Sequence, residues 1–319
     1  MLDLNIDQIK RRLVFADAVS RITDAYIKAS QNEVQTPDVV HLAFNDANGD
    51  CHVKAGHING TDSYVIKIAS GFYDNPKKGL PSSNGMMLAF SAETGAPMAI
   101  LRDEGWLTDL RTGIGGALAT QSLAKESAQD VLILGTGLQA MWQAKCLTDL
   151  DRSRPFRFVI WGRDHNKAKM LVSALAKQDI AATASEDLQH SVQSAQIIIT
   201  TTPSNDALIK DEWVQPGTHI TAIGSDSLGK QELPVDLVCR ADLLVCDMAR
   251  QSLAHGEFQY AAQADPELKV VELGDVLSGR HAGRSEPDAI IIADLTGIAA
   301  QDIAITQSVI ADTPLKEQS

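Results

Sequence analysis

Residues 131 to 140 read V-L-I-L-G-T-G-L-Q-A. A short apolar run of strand character breaks into Gly135-x-Gly137-x-x-Ala140 and continues with helical spacing. Few structures accommodate such a junction. Gly135 permits a tight turn. Gly137 has no Cβ, so the backbone there can approach a pyrophosphate, and Ala140 lets the helix pack close to the strand. The helix N-terminus then offers free N–H groups and the positive end of its dipole. The same letters also describe an ordinary strand-to-helix turn, so context decides. A strand precedes this turn and alternating elements follow it, which makes Gly135, Thr136, Gly137, Leu138 and Gln139 candidate contacts of an NAD or NADP dinucleotide.

Apolar strand candidates lie at 131–135, 157–161, 196–201, 218–223, 243–247 and 289–293, with helical stretches between most of them. Short all-apolar runs separated by helices signal a parallel sheet buried on both faces. Upstream the character differs. Residues 7–29 carry Ile9, Leu13, Ala16, Val19 and Ile22 at three- and four-residue spacing, which predicts one helix. Strands are expected at 39–44, 51–58, 62–70, 86–91 and 97–102. Asp46–Asp50, Asn59-Gly60 and Glu93-Thr94-Gly95 carry the turn chemistry between them. A helix is expected over 112–125 and another near 297–311. The fold class is therefore α/β: a Rossmann-type doubly wound parallel sheet at 119–299, plus a mixed α+β domain for substrate and dimerisation at 1–118, joined by the C-terminal helix at about 300–319.

Bulk properties narrow the partners. The 319 residues carry a formal net charge of -13, which disfavours phosphate backbones and anionic membrane surfaces. The first residues, MLDLNIDQIKRRL, contain no apolar core of signal-peptide type. The longest strongly apolar run, Ala289 to Ala293, is too short to cross a bilayer. Four cysteines, Cys51, Cys146, Cys239 and Cys246, form no CxxC pair, so free thiols in a reducing cytoplasm are expected. The simplest reading of each is a small buried hydrophobe. The sequence holds no low-complexity tract and no repeat of solenoid period.

The second parallel strand ends Trp161-Gly162-Arg163-Asp164. An acid at such a tip binds a ribose 2′-hydroxyl, whereas an arginine accommodates a 2′-phosphate. Gly162 and Arg163 join the cofactor set, and the choice between NAD and NADP stays open. Thr200-Thr201-Thr202-Pro203 ends another strand. Thr201 and Thr202 are read as flanking a cofactor, with a plain strand exit as the alternative.

Four further segments carry charge in unusual settings. Lys67 sits within the apolar strand S-Y-V-I-K-I-A-S-G. Arg111 and Thr112 open the expected helix in L-T-D-L-R-T-G. Asp226 and Lys230 follow a parallel strand in I-G-S-D-S-L-G-K-Q-E-L, at the edge where such sheets bind ligands. D-L-T-G-I-A-A-Q-D closes the set at 294–302. Singly, each ion reads as solvated or structural.

Together the stretches VIKIASGFYDNPKKGLPSSNGMM, LTDLRTG, LGTGLQA, IGSDSLGKQEL and DLTGIAAQD resemble the ornithine cyclodeaminase/mu-crystallin family in order and spacing, over most of the chain. The first resembles a subgroup known as ectoine-utilisation cyclodeaminase-like proteins. The resemblance implies a catalytic Lys67 that meets the substrate carboxylate, Arg111 as carboxylate clamp and Asp226 as catalytic acid. It also places Thr112, Lys230 and Asp294 at the cofactor, and implies a homodimer formed through the N-terminal domain. Where many members have a further clamping arginine, this chain has His41. Lys54 stands where ornithine cyclodeaminase has a glutamate for the distal amine. Each of the two either faces the pocket or is an ordinary strand residue.

These residues imply oxidation or reduction at the C–N bond of a small amino acid or its imine. Arg111 and Lys67 would clamp the α-carboxylate and Asp226 would handle the proton. Two alternatives stand beside an imine reductase or amino-acid dehydrogenase. One is a cyclodeaminase that releases ammonia; the other is a non-catalytic ligand-binding protein. No metal is expected, since the eight histidines show no HExxH spacing and no CxxC is present.

Overall fold

The computed structural model describes residues 1–311. The tail at 312–319, which the sequence reading attached to the first domain, lies outside the described residues. The chain divides into two compact units. One comprises Met1–Arg111 together with the segment from Ile298 onward; the other is Thr112–Gly297.

The first unit is built on a seven-stranded mixed sheet. Its strands are β1 (Leu2–Asn5), β2 (Val34–Gln35), β3 (Val40–Phe44), β4 (Gly49–Ile58), β5 (Ser63–Phe72), β6 (Ser83–Ser91) and β7 (Pro97–Arg102). The order is β1-β7-β6-β5-β4-β2, and β3 also pairs with β4. Only the β1–β7 contact is parallel. Asn59-Gly60 turns β4 into β5, with Gly60 at φ +80 where a Cβ would be strained.

Alternation assigns the two faces. One carries Val65, Met87, Ala89 and Leu101, all buried. The C-terminal helix Ala299–Ile310 packs on this face against β4, β5 and β6. At Gly56 a Cβ would lie 3.1 Å from Ile303 and 3.3 Å from Ala299, so the small residue sets how closely helix and sheet approach. The opposite face is open. Val40, Leu42 and Phe44 are 55%, 50% and 43% exposed, and Tyr64 stacks on Phe90 with ring centroids 5.2 Å apart.

Two helices differ from expectation. The single helix at 7–29 is two, α1 (Ile6–Arg12) and α2 (Phe15–Ser30), with Leu13 and Val14 extended between them. A helical period ran unbroken through residues that tertiary packing straightened: α1 packs on β1 and β7, α2 on the C-terminal helix. Likewise α3 spans Trp106–Leu123, so Arg111 and Thr112 lie inside it rather than opening it. The helix starts early because the buried Asp103 carboxylate accepts the Leu107 N–H at 2.9 Å, satisfying an orphan donor of its first turn.

The second unit holds an eight-stranded sheet, parallel throughout. Its strands are β8 (Asp130–Leu134), β9 (Arg157–Trp161), β10 (Ala182–Ser185), β11 (Ile197–Thr200), β12 (His219–Ala222), β13 (Leu243–Cys246), β14 (Val271–Glu272) and β15 (Ile291–Asp294). The order β10-β9-β8-β11-β12-β15-β13-β14 reverses between β8 and β11, which is the doubly wound arrangement. The centre of β8 is fully enclosed, as its unbroken V-L-I-L required. Strands β10 and β14 escaped the sequence reading; both are short and lack a strong apolar run. Of the cysteines, Cys146 and Cys246 are buried as expected and Cys51 is partly so, but Cys239 is exposed. It lies on the short helix Val235–Arg240, whose buried positions are Leu237 and Val238. Among the described residues no helix is long and apolar enough to cross a membrane.

Candidate active site

In the first unit the apolar strand β5 carries Lys67 onto the face covered by the C-terminal helix. Its Nζ lies 2.7 Å from Asp302 Oδ2, and both side chains are 3% exposed. The second Asp302 oxygen is 3.0 Å from Arg111 Nε. Gln301 completes the group: its Oε1 accepts from Arg111 Nη1 at 3.1 Å, and its Nε2 donates to the Arg111 carbonyl at 3.1 Å. One buried carboxylate is thus held between two buried cations, and the guanidinium fork is fixed by a charged and an amide partner.

Charge in this dry setting is asymmetric. Burial and the neighbouring Arg111 lower the Lys67 ammonium to about 7, against the opposing pull of Asp302. Burial works to raise the Asp302 carboxyl, but Lys67, Arg111 and Lys54 outweigh it and hold it below the ordinary carboxylate value. Asp103 feels the Lys67 charge too, yet burial dominates and raises it. Three cations therefore share this part of the unit with two acids, one of which is biased toward its neutral form. Such a site favours one added anion, and Lys67 sits where it can hold or release a proton near neutral pH.

Register extends the site along the sheet. Lys54 stands directly opposite Lys67 on the neighbouring strand, so it shares that face. His41 pairs with His52, two residues from Lys54, and points to the same side. His41 and Lys54 thus share the sheet face of Lys67. His41 is exposed and Lys54 half-buried.

The second unit presents a different surface. The helix α4 (Leu138–Leu150) begins at Gly137, and no side chain caps it. A Cβ built on Gly137 meets nothing within 4 Å, whereas one on Gly135, at φ +130, would lie 2.2 Å from Thr201 Oγ1. Gly135 is required by the protein's own packing; Gly137 leaves open space in front of uncapped helix N–H groups. That space suits a pyrophosphate, so the residues fit a dinucleotide. Gly162 instead makes room for Thr136, whose Cγ2 would be 2.5 Å from a Cβ there. Asp164 caps α5 (His165–Ala176) through the Asn166 and Lys167 N–H groups, which leaves exposed Arg163 as the polar group at the β9 tip.

A model of the ornithine cyclodeaminase/mu-crystallin family matches residues 2–316. The chain belongs to that family. It is 40% identical over 294 residues to an uncharacterised cyclodeaminase of Sinorhizobium fredii, covering 91% of this chain and 88% of that one. It is 31% identical over 317 residues to an alanine dehydrogenase of Archaeoglobus fulgidus, covering 97% and 94%. Among solved structures, the iminosuccinate reductase of Paracoccus denitrificans in complex with NAD+ superposes with a TM-score of 0.87 at 27% identity, covering 97% and 95%. This family's members thus include NAD-dependent dehydrogenases, imine reductases and cyclodeaminases, and the chain is an enzyme of this kind.

Within the family frame, the remaining expected residues divide. Asp226 and Lys230 form an ion pair of 2.6 Å at the surface, with the aspartate about half exposed. Asp294, expected at the cofactor, is wholly buried. Its carboxylate takes the Ser252 hydroxyl and the Glu257 and Phe258 N–H groups, so it ties loops together at the strand ends. Thr202 is likewise committed: its N–H and hydroxyl both donate to Glu232 Oε1, at 2.6 and 2.8 Å. Thr201 donates to the Leu134 carbonyl.

Asp302, Gln301, Asp103 and Glu232 were not singled out from the sequence. For Asp302 a signal existed. An acid and an amide interrupt the otherwise small and apolar A-A-Q-D-I-A-I, and ions in such a run must find buried partners. Glu232 had no such signal. It also receives the Thr200 hydroxyl and the Gly224 N–H, linking the ends of β11 and β12.

Proposed function

We propose that this protein is an NAD(P)-dependent oxidoreductase acting on the C–N bond of a small amino acid or its imine. The observation that carries the reading is the buried Lys67–Asp302–Arg111 group. Arg111 and Lys67 bind the α-carboxylate, and Asp302 fixes both cations so that the carboxylate arrives in one orientation. Lys67, lowered to about 7, holds the proton for the substrate nitrogen in reduction and takes it in oxidation. Asp226 is a second proton carrier, its carboxylate set by Lys230. The glycine turn at 135–137, Thr136, Leu138, Gln139, Thr112 and Arg163 hold the dinucleotide. When bound, its nicotinamide supplies or accepts hydride at the substrate carbon.

Lys54 supports neutral or acidic substrate side chains over a second ammonium. The open apolar face of the first unit supports a homodimer, and an archaeal alanine dehydrogenase of the same fold, 29% identical, is a dimer with bound NAD. Free cysteines support a cytoplasmic setting. The decisive experiment is a screen of keto acids with ammonia or methylamine, cyclic imines and iminosuccinate, following oxidation of NADH and NADPH. Steady consumption of reduced cofactor supports the proposal. Ammonia release without net cofactor turnover would make the enzyme a cyclodeaminase; of two relatives 40% identical, one is an uncharacterised cyclodeaminase and the other a putative dehydrogenase.

A further inference from the structure

A second cluster on the first unit has a different chemistry. His41 on β3, and Asp50 and His52 on β4, offer one ligand atom each, all within 4.8 Å of one another. His41 and His52 are directly opposed across the ladder, and Asp50 lies two residues before His52 on the same face. The imidazole rings meet edge to face with centroids 4.6 Å apart. The Tyr73 hydroxyl donates to Asp50 Oδ2 at 3.0 Å. Gly71, opposite Asp50, leaves room for this pair: a Cβ there would lie 3.1 Å from both Asp50 Oδ1 and the Tyr73 hydroxyl oxygen.

We infer that His41, Asp50 and His52 bind a divalent transition metal, zinc being the simplest case. Two imidazoles and a carboxylate are acceptors suited to such an ion. Around one ion at about 2.0–2.2 Å, donors sit roughly 3–3.5 Å apart, so the observed spread closes by modest side-chain rotation. Tyr73 orients the carboxylate from outside, as second partners of metal ligands do. Three protein ligands leave further positions for water or a small ligand. The ion would tie β3 to β4 through side chains as well as through the ladder. Lys54, two residues beyond His52 on the same face, opposes a dication, so affinity is below that of a closed structural zinc site. No motif in the sequence announces the site, because its ligands come from two strands brought together by register.

Untagged, chelator-stripped protein titrated with Zn²⁺ by calorimetry tests this. One equivalent per chain is expected. His41→Ala, His52→Ala and Asp50→Asn should each weaken binding by about tenfold or more, Tyr73→Phe by about tenfold, and His57→Ala, on the opposite face, not at all. Circular dichroism melts verify that each variant folds. Should one fail, the visible spectrum of Co²⁺ added to the wild type still reports nitrogen and oxygen ligation. Absence of binding, or binding that survives in the His41→Ala/His52→Ala double variant, overturns the assignment.

Discussion

Lys67 Nζ and Asp302 Oδ2 lie 2.7 Å apart, with both side chains almost wholly enclosed, although one comes from a mid-sheet strand and the other from the last helix. A buried pair of this kind is costly to break, because the survivor keeps an uncompensated charge. Asp302→Asn should destabilise the protein by about 3–5 kcal/mol. It should also lower the Lys67 ammonium further, since Asp302 is what holds it up. The limb of kcat/KM for imine reduction that needs protonated Lys67 then moves to lower pH. An unmoved pH profile in a folded variant would leave Lys67 without the proton role.

Lys67 also predicts a pH dependence of stability. Its folded value, about 7, lies below its unfolded value of 10.5, so between these the unfolded chain binds more protons. Stability from this group therefore rises as pH climbs from about 7 toward 10.5, and its penalty is fully present below 7. Urea unfolding at pH 6.5 and pH 9.5 should show wild type gaining stability relative to Lys67→Met at the higher pH. A constant difference would contradict the lowered value.

Gly137→Val should abolish dinucleotide binding while the protein still folds. A Cβ there meets no protein atom within 4 Å, and Gly137 adopts an ordinary extended conformation. The added branches occupy only the space in front of the helix N-terminus. Fluorescence titration with NADH checks the loss, and a thermal melt checks the fold. Undiminished affinity would move the pyrophosphate elsewhere.

Lys54→Glu should shift relative kcat/KM from neutral and acidic substrates toward basic ones. Lys54 faces the same side of the sheet as Lys67 and acts electrostatically on both Lys67 and Asp302. Like charges at short range in a partly dry site cost on the order of a few kcal/mol, enough to invert a preference. Ornithine turnover by the wild type exceeding that of neutral and acidic substrates would count against this pocket.

Light scattering should give the mass of a dimer at micromolar concentration, and Leu42→Glu should convert it to monomer. Leu42 is half exposed at the centre of the edge strand β3, on the open apolar face with Val40 and Phe44. A charge there opposes burial against a second copy. A monomeric wild type would remove the interface.

The sequence by itself determined what depends on neighbours along the chain. The unbroken apolar V-L-I-L can be satisfied only by a strand covered on both faces, and the glycine spacing after it only by a tight turn into a helix. The apolar neighbours of Lys67 marked β5 as a strand, and local turn residues set the hairpins. Tertiary structure alone decided which ions meet. No period in Phe15–Ser30 or its approach announces that Leu13 and Val14 straighten, since packing partners on two different elements impose that break. Thr202 reads as flanking a cofactor or as a plain strand exit, and only the fold shows Glu232 taking both its donors. Only the fold shows the loops at Ser252 and Glu257 closing on the Asp294 carboxylate. Asp302 finds Lys67 and Arg111 only when the last helix lies on the sheet. Buried charge must be matched by partners wherever the chain brings them, and those partners are distant in sequence.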